Sequence, residues 1–335
     1  MRSLGLLLVF TLFFSGCSNK KYFEPTQAFS ASNATQNYGG KILGLSRDGG
    51  TLQSGTYVGR DGISSINLGQ GYRFLNESKS YVLVANPAGI LKIISKKNNK
   101  IIRSIDLHVP VVSASIKNGL IAYILNNNAF GLYKMKNNEK LIESRSERSF
   151  AVDTRAASPL FIDNLVVMPM LDGKLIILDS RNTENSKVVY MSNQSIFNNV
   201  IYLSRINNTL VASTPKRIIT LGGAGKREFN ANISEVAVSK NHIYLFTKEG
   251  EIISLNNKLE KLHASKFKFA HFAVGTAFDG KVYALDQQGS LIVANSTLDK
   301  YRVYKLGAIS QPAFITGARL YKDGKIIALS KLGYE

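Results

Sequence analysis

The sequence predicts an all-β chain: a β-propeller of four-stranded blades, seven in number with eight as the alternative, closed by pairing of N- and C-terminal strands. Three observations predict it. Past Gly40 almost no segment carries a helical period, and short apolar runs alternate with turns of Gly, Asn, Asp and Lys. One strand–turn–strand grammar recurs about every 40 residues, which is a propeller spacing and far longer than a parallel β-helix repeat. The last strands stop partway through a repeat, as a ring requires if its chain ends share a blade and leave no free edge.

The chain begins Met1-Arg2-Ser3, runs apolar from Leu4 to Phe14, and exits through Ser15-Gly16-Cys17. A basic start, an apolar core and a small-residue exit predict a signal peptide over 1–16. The run is too short for a bilayer span, which takes about 20 apolar residues. Cys17 is the only cysteine of the chain, so intrachain disulfides, CxxC redox chemistry and cysteine zinc clusters are excluded. Residues 17–40 follow, rich in Ser, Asn, Thr, Gln and Lys without apolar periodicity, and predict a flexible tether. The propeller is then expected over 41–335.

Within it, Ser158–Pro169 reads as strand, turn and strand, Leu171–Asp179 as a tight turn and third strand, and Val188–Tyr190 as a fourth. The grammar returns at Ser80–Ile94, Asn118–Met135, Asn241–Leu255 and Asp279–Val293, and more faintly at Thr209–Leu221. The glycine of each unit falls where the hairpin between second and third strands needs positive φ or no side chain. The strands on either side are rich in Val, Ile, Leu and Tyr because a blade buries both faces against its neighbours. At the end, Leu320–Leu329 supplies part of a blade, which Lys41–Leu45 is expected to complete.

The chain carries 42 Lys and Arg against 23 Asp and Glu, a formal charge of +19. In a cytoplasmic protein that would suggest nucleic acid. Behind a signal peptide the available anions are lipid headgroups, lipopolysaccharide phosphates and acidic protein surfaces. The lysines are scattered rather than clustered, which also fits an ordinary solvated surface.

Catalytic constellations are absent from the sequence. His108, His242, His263 and His271 show no paired metal-ligand spacing. Asp172, Asp279 and Asp323 each precede glycine and read as turn residues. Gly222-Gly223-Ala224-Gly225-Lys226 lacks the first spaced glycine of a phosphate loop and has Arg227 where Ser or Thr belongs. There is no GxSxG turn. No enzyme activity, cofactor or metal is expected.

The residues Phe14-Ser15-Gly16-Cys17 resemble the lipobox of bacterial lipoproteins, with Phe14 in place of the usual Leu. The resemblance implies cleavage before Cys17 and lipidation of its thiol. Ser18, where inner-membrane lipoproteins tend to carry Asp, implies outer-membrane sorting and a periplasm-facing domain. Pro159 to Asp179 and Asp279 to Asp286 resemble the repeat of pyrroloquinoline-quinone-type propellers. That repeat also occurs in quinone-dependent dehydrogenases, but these are much longer, Trp-rich chains with paired cysteines, and this chain has no Trp. A lipoprotein that is otherwise one propeller resembles the BamB-like lipoproteins of the outer-membrane β-barrel assembly machinery, which implies a non-catalytic, lipid-anchored scaffold of an envelope complex. In that family a loop between blades contacts the barrel-forming subunit. Here Val152-Asp153-Thr154-Arg155-Ala156-Ala157-Ser158-Pro159 takes its place: Val152 and Arg155 match, Thr154 replaces an apolar residue, and the loop is one residue shorter. A scaffold of another envelope apparatus, such as a motor or secretion system, and a module binding envelope glycan or lipopolysaccharide are the alternatives.

Overall fold

The computed structural model describes residues 21–149, 155–191, 198–223 and 225–335. Eight antiparallel sheets of four strands follow one another along the chain, one of them carrying a fifth strand. They are the blades of a ring, and in chain order blades 1 to 8 span 42–64, 73–106, 111–145, 160–190, 202–230, 233–266, 272–305 and 314–328. The all-β propeller is as expected, and the count is the alternative of eight rather than seven.

The extra blade has a physical origin. Ile42–Leu45 does not complete the last blade but is the first strand of blade 1, paired with Gly50–Leu52. Closure comes from further upstream, where Thr35–Asn37 pairs antiparallel with Lys325–Ala328 as the fourth strand of blade 8. Just before it, Phe29–Ser30 adds a parallel fifth strand to Tyr301–Lys305 of blade 7. Part of the stretch expected as tether is thus strand. Its residues are held by backbone pairing, which needs no apolar period.

The middle strands of each blade read as continuous apolar runs because both faces are covered. Leu120–Leu125 and Ala129–Lys134 of blade 3 are buried almost throughout, whereas its outermost strand Glu139–Arg145 is mostly exposed. Leu83, Leu91 and Ile93 of blade 2 meet Val111, Ile121 and Tyr123 of blade 3 in one such interblade layer. At the closing seam Tyr321 of blade 8 packs with Ile42, Leu52 and Val58 of blade 1, and Tyr38 leans on it edge-on at 5.9 Å.

One backbone hydrogen bond recurs in all eight blades. The N–H leaving the outermost strand donates to a carbonyl in the hairpin between the second and third strands. The pairs are Leu68 to Gly55 at 2.8 Å, Leu107 to Gly89 at 3.1 Å, Ser146 to Asn128 at 3.1 Å and Met191 to Gly173 at 3.0 Å. They continue with Ala231 to Lys216 at 3.2 Å, Phe267 to Gly250 at 2.8 Å, Leu306 to Gly289 at 2.8 Å and Tyr38 to Gly324 at 3.0 Å. The eighth joins the two ends of the chain. The bond pulls the linker between blades so close to the hairpin that a side chain there has no room: a Cβ on Gly289, at φ +85°, would lie 1.7 Å from the Gly307 carbonyl oxygen.

Two outcomes test this. Gly289→Ala is expected to cost about 2–4 kcal/mol through strain and overpacking, whereas Gly223→Ala, with nothing within 4 Å of its Cβ, should stay within about 0.5 kcal/mol; urea denaturation measures both. Truncation before Lys322 removes the partner of Thr35–Asn37 and opens the ring, so aggregation or a large fall in melting temperature is expected by light scattering and calorimetry.

Candidate functional site

The hairpins and interblade linkers joined by the recurring bond share one face of the ring. There the channel mouth widens into a cavity of about 1320 Å³. Its rim comes from hairpin residues Lys216, Lys248, Gln287 and Gln288, and from the linker 308–313 between blades 7 and 8. Leu43, Gly44 and Leu45 from the first strand of blade 1 also line it, with Arg73, Arg155 and Phe272.

Beneath the mouth the channel is crossed by charge. The turn Ser46–Gly49 of blade 1, closed by Ser46 N–H to the Gly49 carbonyl at 2.8 Å, reaches three blades on the far side. Arg47 donates to Glu235 of blade 6 at 2.5 Å and lies 5.2 Å from the ring centre of Tyr202 of blade 5. Asp48 accepts from the Ser158 hydroxyl, at the entry to blade 4, at 2.5 Å. Arg155, from the linker into blade 4, donates to Glu235 at 3.4 Å and to the Ala273 carbonyl of blade 7 at 3.2 Å. The Glu235 side chain is 8% exposed, and the backbone N–H of Val236 also donates to it.

The electrostatics follow from burial. Burial works against the Arg47 charge, but Glu235 outweighs it and the guanidinium sits above its ordinary value. Burial pushes the Asp48 carboxyl up, and the Ser158 hydroxyl and Arg47 only partly restrain it. Tyr202 is likewise pushed up, by burial first. Arg73 has no counter-charge in this set, and the protein mass around it lowers its value.

Of the residues singled out in the sequence, Cys17, Val152 and Thr154 lie outside the described residues. Arg155 is described, and its side chain, 23% exposed, turns into the channel toward Glu235 rather than standing on an open rim. The turn aspartates take different roles. Asp279 and Asp323 adopt positive φ, of 50° and 48°. Asp172 pairs with Lys174 at 3.1 Å. Among the described residues no three His, Cys, Asp or Glu side chains are grouped to hold a metal ion, and no helix is long and apolar enough to cross a membrane. Glu235, Arg47 and Arg73 were not singled out in the sequence. Their signal is the ring itself, which joins positions far apart in the chain.

No family model matches the chain. It is 27% identical to the plasminogen-binding protein PgbB of Helicobacter pylori strain J99 and 26% identical to that of strain 26695, covering 95% of this chain and 67% of each relative. Among solved structures it is similar to BamB from Moraxella catarrhalis, with a TM-score of 0.67 at 14% identity over 87% of this chain and 97% of that one. It is also similar to Sqt1 of Saccharomyces cerevisiae, at 0.59 and 9% identity over 88% and 96%. The computationally designed Ika8 protein scores 0.58 at 14% identity over 76% and 81%. The fold is therefore that of a BamB-like propeller, and at these identities the likeness is one of fold.

Glu235→Gln leaves two enclosed guanidiniums facing a neutral amide. A stability loss of about 3 kcal/mol or more is expected, read as a lower urea midpoint at unchanged slope; an unmoved midpoint would remove the ion triad from the account. Arg155→Glu should destabilise more than Arg155→Ala, because it sets a second carboxylate beside Glu235.

Proposed function

We propose that the chain is a non-catalytic, lipid-anchored scaffold of a cell-envelope complex, attached at Cys17 to the outer membrane and facing the periplasm. The observation that carries this reading is the way the N-terminal segment is used. Phe23 packs edge-on against Phe267 of the linker between blades 6 and 7, 5.8 Å between ring centres. From there the chain adds strands to blades 7 and 8 and closes the ring. Five residues separate Cys17 from Phe23, so the two lie at most about 20 Å apart along an extended chain. A lipid on Cys17 would hold blades 6 and 7 close to the bilayer, beside the exposed Phe269 and Tyr301. Lys21 lies 5.6 Å from the Phe269 ring centre. A rigid ring on a short leash suits a scaffold, whose loops must be presented at a fixed height and orientation.

The fold likeness supports the outer-membrane barrel-assembly subunit as the partner to test first, through the 152–159 loop. Since the Arg155 guanidinium is engaged in the channel, Val152 and Thr154 are the residues of that loop proposed to meet the partner. Other envelope assemblies, and envelope glycans, remain outcomes of the same test. A second reading has its own support: two relatives are named plasminogen-binding proteins, so plasminogen is a candidate ligand of this chain as well.

In cross-linked cells the wild-type protein is expected to co-purify with a defined envelope complex, and with the barrel-forming subunit if the fold likeness extends to function. Recovery of no envelope protein, together with saturable plasminogen binding by the purified chain, would favour the second reading. Cys17→Ala is expected to release the protein from membranes while leaving its melting temperature unchanged. Membrane retention of that variant at wild-type level in high salt would contradict the anchor.

A further inference from the structure

We propose that the cup at the channel mouth is a binding site for an acidic peptide segment, such as a loop or tail of a partner protein carrying several Asp or Glu residues. Its dimensions are the first reason. At about 1320 Å³ it exceeds the volume usual for a small-molecule pocket.

Charge is the second. The ionisable side chains lining the cup are Arg73, Arg155, Lys216 and Lys248, all basic. Glu235 below the floor serves two guanidiniums at once, Arg47 and Arg155. Arg73 donates to the Val111 carbonyl at 2.5 Å and Lys216 to the Asn232 side-chain oxygen at 2.5 Å, both neutral acceptors. Among the described residues neither of these, nor Lys248, makes an ion pair with a carboxylate. Of the nearby acids, Asp286 accepts the N–H groups of His271 and Gln288 at 2.6 and 2.8 Å, Asp323 accepts those of Ser310 and Gln311 and pairs with Lys322, and Glu249, next to Lys248, accepts from the Asn232 amide whose oxygen takes Lys216. A concave site of one sign, walled by protein, focuses its field on whatever enters.

The third reason separates a peptide from a simple polyanion. The cup also presents Leu43, Leu45, Phe272 and Pro312, and the amides of Gln287 and Gln288. A peptide brings backbone amides for the glutamine side chains and apolar atoms for the leucines and Phe272, whereas a phosphate chain brings neither. A flat membrane surface cannot enter the cup.

This deepens the scaffold reading by naming the partner's chemistry, yet its test is independent of that reading. A fluorescein-labelled dodecapeptide of alternating Glu and Leu pairs is titrated with the purified protein, followed by anisotropy at about 0.15 M salt, where distant charges are screened. Saturable binding is expected, weakened about tenfold or more by Lys216→Glu with Lys248→Glu, and measurably by Arg73→Gln. Lys136→Glu with Lys187→Glu removes the same charge from exposed positions outside the cup and should change affinity by no more than about twofold. Comparable weakening by both pairs would overturn the proposal in favour of general electrostatics. So would the absence of peptide binding, or binding of tripolyphosphate in place of the peptide. All variants are surface changes whose melting temperatures are checked first, and Arg73→Gln decides if a lysine pair fails to fold. Envelope cross-linking could still succeed if the peptide fails, so the two readings fail separately.

Discussion

The hydrogen bond from the end of each outermost strand to the hairpin between the second and third strands is what makes eight sheets into one ring. A four-stranded sheet with apolar faces can pack on a neighbour at many offsets. Pinning the linker to the hairpin leaves one way to enter the next blade. Each bond is worth only about 1 kcal/mol net, so its role is geometric: it fixes register, while the apolar layers between blades supply the stability. Hairpin and linker come within contact distance only if the hairpin residue yields space, which is why glycine occupies six of the eight positions and Asn128, at φ +62°, a seventh. The eighth bond, Tyr38 to Gly324, uses a residue from the far end of the sequence. Closure is thus the same interaction as continuation.

That geometry creates the site. Because linkers and hairpins are drawn to one face, their side chains converge around the axis there, and the mouth inherits whatever charge those short segments carry. Below it, the first turn of blade 1 reaches across the channel and its arginine shares Glu235 with Arg155. Blades 1, 4 and 6 are joined through one carboxylate. The ionisable side chains lining the cup above it are all basic.

Much of the fold was legible in the sequence because the repeat is written in side chains: apolar middle strands, and a glycine where the hairpin turns. The count went astray where the backbone does the work with other residues. Blade 5, with Thr214-Pro215-Lys216 in place of a glycine hairpin, read only faintly; the short strands of blade 1 over 42–64 were not read as a unit, and the closing strand Thr35–Asn37 is polar and does not announce itself. Ile42–Leu45 looked like the missing partner only because it is apolar. The site was less legible still. Arg155 was visible as a loop arginine, but its partner Glu235 lies 80 residues away, and Arg73, Lys216 and Lys248 looked like part of an evenly basic surface until the ring brought them together.

The scaffold reading, the short leash and the cup all rest on the N-terminal segment being an integral part of the ring. Amide hydrogen exchange on the intact protein tests this most directly. If Thr35–Asn37 and Tyr38 close the ring, their amides should exchange as slowly as those of the paired strand Lys325–Ala328, opening only with global unfolding. Exchange of the 35–38 amides at the rate of an exposed terminus, with blade 8 still protected, would contradict closure by the N-terminal strand.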